Sequence, residues 1–389
     1  MTPHLGKSRS PFVPVAPRGA AAGLIAACAL SAATGAGDTP PGGAAEARFL
    51  TRARQLTYEG RRAGEGYFAP DGSALVFQSE REPGNPFFQI YVLDFATGET
   101  RRVSTGLGKT TCAYFRPGGP EILFAATHHD PRSRELQQAE IDFRASGKER
   151  RYDWDFDPEM ELYVASGAGV PRRLTESPGY DAEGSYSPDG EWIVFTSTRS
   201  AFEPDLPAAE RGRLSTDPSY FAEIYRMRAD GSELRRLTEA RGYDGGPFFS
   251  ADGRWIVWRR FEADGLIADV WRMRADGAEP RRLTDFGSMS WAPFPHPSGE
   301  YVLFTSNKLG FENFELFLVD SEGLKEPARI THATGFDGLP VISPDGRQLS
   351  WTSTRHGGPG QIMLADWNHS AALAALGAAP PRRPPADGP

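Results

Sequence analysis

Cysteine is nearly absent from this chain. Cys28 and Cys112 are the only two among 389 residues, so a disulfide framework cannot be what holds the protein together. A basic surplus is missing as well: Lys+Arg 43 against Asp+Glu 51 leaves a net charge of −8. Nucleic acid is therefore not expected as a partner, because phosphate backbones are bound by basic surfaces. Long runs of large apolar residues are lacking too. The longest uncharged stretch, GAAAGLIAACALSAATGAG, is rich in alanine and too weakly hydrophobic to stay in a bilayer. Catalytic signatures are equally scarce. No G-x-S-x-G elbow, H-E-x-x-H or C-x-x-C occurs, and GLGKTT at 106–111 has Val103 where a phosphate loop needs its first glycine.

What is present points to many short strands. Apolar residues make up 39% and charged residues 24%, enough to bury a core, while Gly 43 and Pro 33 supply turns. The hairpin glycines Gly72, Gly119, Gly190, Gly253, Gly299 and Gly346 are spaced by 47, 71, 63, 46 and 47 residues. Each follows a short strand and precedes an aromatic or β-branched one such as LVFQS, WIVFTS or YVLFTS. A third strand (QIYVLD, ELYVAS, EIYRMR, DVWRMR, ELFLVD) and then RRLT or a relative of it complete the unit. Six units of four strands at this period predict an all-β, six-bladed β-propeller of four-stranded blades. The sixth unit lacks its RRLT, whereas RQLT at Arg54 to Thr57 precedes the first. The N-terminal strand is thus expected to complete the last blade and close the ring, leaving no long sheet edge.

The segment YSPDGEWIVFTSTR, followed by EIYRMRADGSELRRLT, resembles the repeat of the TolB-like β-propellers. The similarity runs from about Arg48 to Trp367. It implies an exported, six-bladed envelope protein. TolB carries an additional N-terminal α/β domain, whereas here residues 28–46 read as a flexible tether running straight into a propeller at 47–368, so a Tol–Pal role is not carried over. Lys7, Arg9 and Arg18 before the alanine-rich stretch read as a signal peptide over 1–27. IAAC, ending at Cys28, resembles the bacterial lipobox and offers Cys28 for lipidation, hence a lipid anchor and a periplasmic or outer-membrane-anchored location. Residues 369–389 read as a disordered tail.

Two insertions, at 128–160 and 199–221, lengthen the loop between the second and third strands of blades 2 and 3. They fall on one face, which is where such loops and the links between blades meet. Asp181, Asp244 and Asp337, with Ser290 and Thr110 at matching places, begin innermost strands on that face. Arg81, His128, Arg199, Lys308 and Arg355 follow second strands there. These residues, together with Trp291, make a candidate binding mouth, and a ring of carboxylates is compatible with a channel cation such as calcium. The same Asp–Arg pattern is also what a structural lock between adjacent blades requires. In the blade 2 insertion, SRELQQAEIDF predicts a short helix with Ser133 as cap and Leu136, Ala139, Ile141 and Phe143 as an apolar stripe. His128, His129 and Asp130 are possible metal ligands only if they converge. Asp153, Asp155 and Asp157 imitate a calcium loop, but Pro158 and Val164 stand where its glycine and glutamate belong. Phe202 and Tyr220 are candidate exposed contacts in the blade 3 insertion, and Cys112 reads as a buried small residue. The expected function is a monomeric, non-catalytic envelope scaffold that binds a protein or peptide through the insertion-bearing face. The alternative is a metal-assisted lyase or hydrolase at the channel mouth.

Overall fold

The computed structural model describes residues 43–148, 156–167 and 169–382. The signal, Cys28, Asp153 and Asp155 lie outside the described residues. Within them the chain forms six four-stranded antiparallel sheets, each in the order inner to outer strand. The innermost strands are Ala63–Phe68, Thr110–Phe115, Asp181–Tyr186, Asp244–Phe249, Ser290–Pro295 and Asp337–Ile342. In blade 6 the outermost place is taken by Leu50–Gln55, paired with Gln361–Trp367. The ring closes as expected, by a strand from the opposite end of the chain.

The second strands carry the core. Leu75, Val76, Phe77, Leu123, Phe124, Ile193, Phe195, Trp258, Phe304 and Trp351 are all essentially inaccessible. The RRLT motif has a physical meaning. Its threonine accepts a hydrogen bond from the backbone of the third strand, at 2.8–2.9 Å: Thr175 from Leu162, Thr238 from Ile224, Thr284 from Val270 and Thr331 from Leu316. Its second arginine pairs with a buried acid at the first or second place of that strand, as Arg173 with Glu161, Arg236 with Glu223, Arg282 with Asp269 and Arg329 with Glu315, all at 2.6–2.8 Å. Thr57 of RQLT accepts from Ile362 at 2.9 Å, so the orphan motif performs the same work for blade 6.

Both expected flexible flanks are partly folded. Residues expected to open a disordered tail form a helix, His369–Ala378, with the Asn368 side chain accepting from the backbone of Ala371. Ala372 and Leu376 are buried against blades 5 and 6. An alanine-rich composition that reads as low complexity is also the best helix-forming composition, and the docking surface decides the outcome. At the other end Gly43–Glu46 is a single helical turn within the expected tether. Glu46 accepts from Arg355 at 2.7 Å and from the backbone of His332 at 3.0 Å.

Candidate functional site

The rim residues sit where the alignment put them, at the starts of inner strands, but their carboxylates are turned into the blades. Asp181 and Asp244 are 0% exposed and Asp337 is 1% exposed. Asp181 accepts from Arg199 at 2.6 Å and Asp337 from Arg355 at 2.7 Å. Asp244 is held bidentately by Arg260, both bonds 2.7 Å, two positions earlier than the register of the other blades. Trp258 and Trp351 add indole N–H bonds to Asp244 and Asp337. Burial pushes the Asp181 carboxyl up to about 6 against the pull of Arg199. These pairs are locks within single blades, not between adjacent ones as expected, because each arginine lies in or just after the second strand of the aspartate's own sheet; Ser290 beside them is fully buried. They do not present an acidic ring to a ligand.

The described parts of both insertions are folded on this face. Helix Ser133–Ala145 is anchored through polar groups rather than its apolar stripe. Ser133 is not an N-cap; its hydroxyl donates to the carbonyl of Thr127, while Gln137 accepts from the backbone of Gly108 and donates to the carbonyl of Gly84. Arg144 reaches Glu80 and Glu140. Leu136, Ile141 and Phe143 are only half-buried, and Ala139 is exposed. The His128 ring lies tilted at 46° against Tyr163, centroids 4.2 Å apart, and burial next to His129 pulls its imidazole down to about 4. His129 instead meets the Tyr163 hydroxyl at 2.9 Å, and Asp130 accepts from the backbone and guanidinium of Arg132. His128 and His129 both engage Tyr163 while Asp130 engages Arg132, so the three candidate metal ligands do not gather around a common point. Asp157 is buried against Lys109 at 3.3 Å. Phe202 is exposed as expected, whereas Tyr220 is half-buried beneath Arg213 at 4.0 Å. Among the described residues no three His, Cys, Asp or Glu side chains gather as a metal site.

The channel holds a constellation that the alignment did not single out. Every inner strand bulges at the same place, so that its third residue adopts the left-handed conformation: Glu65, Cys112, Glu183, Gly246, Ala292 and Leu339, with φ between 49° and 59°. These six residues line a central cavity of about 70 Å³. Beyond them the channel is closed by aromatic rings. Tyr67 of blade 1 meets Phe248 of the opposite blade 4 at 5.6 Å, and Tyr114 and Phe294 pack on Phe248 at 5.9 and 5.2 Å. Trp291 lines the same cavity and packs on Phe314 and Phe336, both at 6.2 Å, where blades 5 and 6 meet.

One cation enters this cavity, and its route is specific. Arg259 belongs to the second strand of blade 4, opposite Gly245. A Cβ at Gly245 would lie 2.6 Å from Glu183 and 3.1 Å from Arg259, and one at Gly246 would overlap the guanidinium. The glycine pair is therefore the gap through which Arg259 reaches Glu183 at 2.6 Å. Glu183 also accepts from the Tyr243 hydroxyl at 2.5 Å, the backbone of Gly246 at 2.7 Å and Thr196 at 2.9 Å. Burial alone would raise the Glu183 carboxyl, but the Arg259 charge and these donors carry it below the usual range. Glu65 has no such set. Its Oε2 is buried without a hydrogen-bond partner, and burial lifts its carboxyl to about 7 in spite of the Cys112 thiol that donates to it. Cys112, expected to be a plain buried residue, instead has its half-buried side chain in the cavity.

No family model matches the chain. It is 32% identical over 197 residues, half of each chain, to an uncharacterized protein of Agrobacterium fabrum. Over 42 residues, 10% of each chain, it is 48% identical to the Tol-Pal system protein TolB of Bordetella pertussis. The chain thus spans about half the length of the first of these curated relatives and a tenth of the second. Among solved structures a putative TolB from Agrobacterium tumefaciens superposes with a TM-score of 0.53 at 22% identity, covering 81% of this chain and 94% of that one. TolB from Acinetobacter baumannii gives 0.50 at 15% identity, covering 78% and 63%. The fold is that of a TolB-like six-bladed propeller.

Within this TolB-like propeller the missed residues share one signal. At the third place of the six aligned inner strands the chain reads Glu, Cys, Glu, Gly, Ala and Leu. Two carboxylates stand at a position whose other occupants are small or apolar, and a Gly-Gly pair faces the lone arginine. No repeat requirement explains either choice.

Proposed function

We infer that this chain is a protein- or peptide-binding scaffold, exported to the cell envelope, that engages its partner through the face carrying the blade 2 and 3 insertions. The observation that carries the reading is where exposed apolar side chains collect. Eight large apolar side chains are exposed among the described residues; Val170, Leu234 and Leu324 lie in third-to-fourth-strand hairpins on the opposite face, while Tyr58 and Phe311, 73% and 75% exposed, and Leu266, Leu309 and Phe202 make up the other five. By topology all five lie in links between blades or in loops joining second to third strands, hence on one face, around the mouth that Trp291 lines. Large aromatic and aliphatic groups left in water around a rigid rim are what a protein partner buries. Consistent with a binding role, the cavity beneath is lined by no histidine among the described residues, and His128 and His129 are committed to Tyr163.

The test is affinity capture from envelope extract, comparing the wild-type chain with Leu309→Ser/Phe311→Ser and, separately, Tyr58→Ser. Both variants are surface changes and should leave the unfolding midpoint essentially unmoved. The expected result is a captured envelope protein whose recovery falls about tenfold with the double variant. Equal recovery with all three baits would overturn the assignment of the face.

A further inference from the structure

We propose that the channel cavity is a binding site for an alkylammonium head group, with Glu65 as its counter-ion and the Tyr67, Tyr114 and Phe248 rings as its π-rich floor. Four features converge on this chemistry. First, the cavity contains two carboxylates and one cation, and Arg259 is already committed to Glu183 at 2.6 Å. Ionised Glu65 is therefore the one uncompensated charge. Second, all four of Glu183's hydrogen bonds are made within the protein, whereas Glu65 keeps a buried oxygen with no donor. A buried acceptor left unmade is expensive and is normally met by an ordered water or, where it faces a cavity as here, by a bound group. Third, the rings closing the channel line the same cavity and give a cation an aromatic floor. Fourth, the remaining walls are apolar: Ala292, Pro293, Leu339 and Val341. One carboxylate oxygen among rings and alkyl groups suits an organic ammonium, whereas a hard metal ion needs six or so oxygens.

The size limits the ligand. A cavity of about 70 Å³ takes a charged tip and not a whole metabolite. Trp291 lines it and contacts the half-buried Phe314 and Phe336, so the alkyl stem leaves toward the insertion-bearing face. The source is a free amine or the tip of a lysine side chain on a polypeptide. The inference stands apart from partner binding on that face, since a small amine needs none of the exposed rim residues.

Calorimetric titration of the full chain with n-butylammonium chloride tests it, with n-butanol as the neutral counterpart. A second pair of probes is the blocked peptide Gly-Lys-Gly and its Nε-acetylated form. Butylammonium is expected to bind and butanol to fail. Glu65→Gln, which keeps the shape of the side chain, should weaken binding about tenfold. Wild-type binding should also weaken several-fold from about pH 8 to about pH 6 as Glu65 takes up a proton. The groups facing Glu65 are Cys112, Glu183, Arg259 and Tyr67, and Arg259 keeps Glu183 ionised across that range. The peptide bound much more tightly than butylammonium would assign a polypeptide source, and equal binding a free amine. Butanol binding as well as the amine, unchanged binding to Glu65→Gln, or no binding of either amine probe at millimolar concentration would overturn the proposal. The pH dependence of the wild type keeps the test decisive even if the variant misfolds.

Discussion

Glu65 and Glu183 occupy the same place in blades 1 and 3, on the same bulge, with φ of 52° and 58°. They differ in what surrounds them. Glu183 has an arginine, a tyrosine, a threonine and a backbone amide, and its carboxyl lies below the ordinary range. Glu65 has only the thiol and backbone amide of Cys112, and burial raises its carboxyl to about 7. An identical backbone therefore makes a structural anchor in one blade and an unsatisfied acid in another. What separates them is Arg259 and the two glycines that admit it. The repeat is broken here in side chains alone, on a bulge whose backbone all six blades share.

The largest effect expected from breaking the comparison is at Arg259. Arg259→Met would strand Glu183 and leave two carboxylates in one enclosed space. Removing one partner of a buried pair costs about 3–5 kcal/mol. Urea unfolding should show a loss of that order, and most of it should be recovered in Arg259→Met/Glu183→Gln, where no charge is orphaned. No recovery in the double variant would mean that Arg259 acts mainly through packing.

The next effect has the opposite sign. Glu65 binds its proton up to about pH 7 in the folded chain, against an ordinary value of 4.5. Because the folded state holds the proton longer, ionisation favours the unfolded state. The penalty is absent below about pH 4.5, grows as pH rises toward about 7, and is complete above it. Glu65→Gln should therefore leave stability unchanged at about pH 4.5 and raise it at about pH 8, by at most about 3 kcal/mol. Asp181 and Glu223, raised to about 6 and 7 by burial, contribute slopes of the same sign. The difference between wild type and variant isolates Glu65. An unchanged gap across this range would show that Glu65 ionises normally.

How much of this was legible in the sequence follows from how local each feature is. Blades were readable because hairpin glycine, aromatic strand and RRLT recur within a single unit. Ring closure was readable because one motif was missing at one end and present at the other. The rim aspartates were placed correctly, yet their orientation was not, because spacing does not say whether a side chain faces the axis or its own blade. Arg260 was missed since it pairs from a register two residues off. The cavity was least legible: Glu65, Cys112, Glu183 and Arg259 come from four blades and meet only when the ring closes. The helix His369–Ala378 was misread because alanine-rich segments fold or not according to the surface available, which composition does not record.

The smallest expected effect tests the glycine gap itself. Blade 5 carries alanine on this bulge at φ 49°, so the backbone of Gly246, at φ 59°, tolerates a methyl group for about 1 kcal/mol of left-handed strain. In Gly246→Ala, however, the new Cβ would overlap the Arg259 guanidinium. That group must rotate, and its bond to Glu183 loosens without the charge being lost. The expected total is about 1–2 kcal/mol. The sharper readout is the Glu183 carboxyl, which should titrate upward by NMR as Arg259 withdraws, moving toward the behaviour of Glu65. A destabilised variant with an unmoved Glu183 would show that the glycine serves the bulge alone, and that Arg259 reaches the channel without its help.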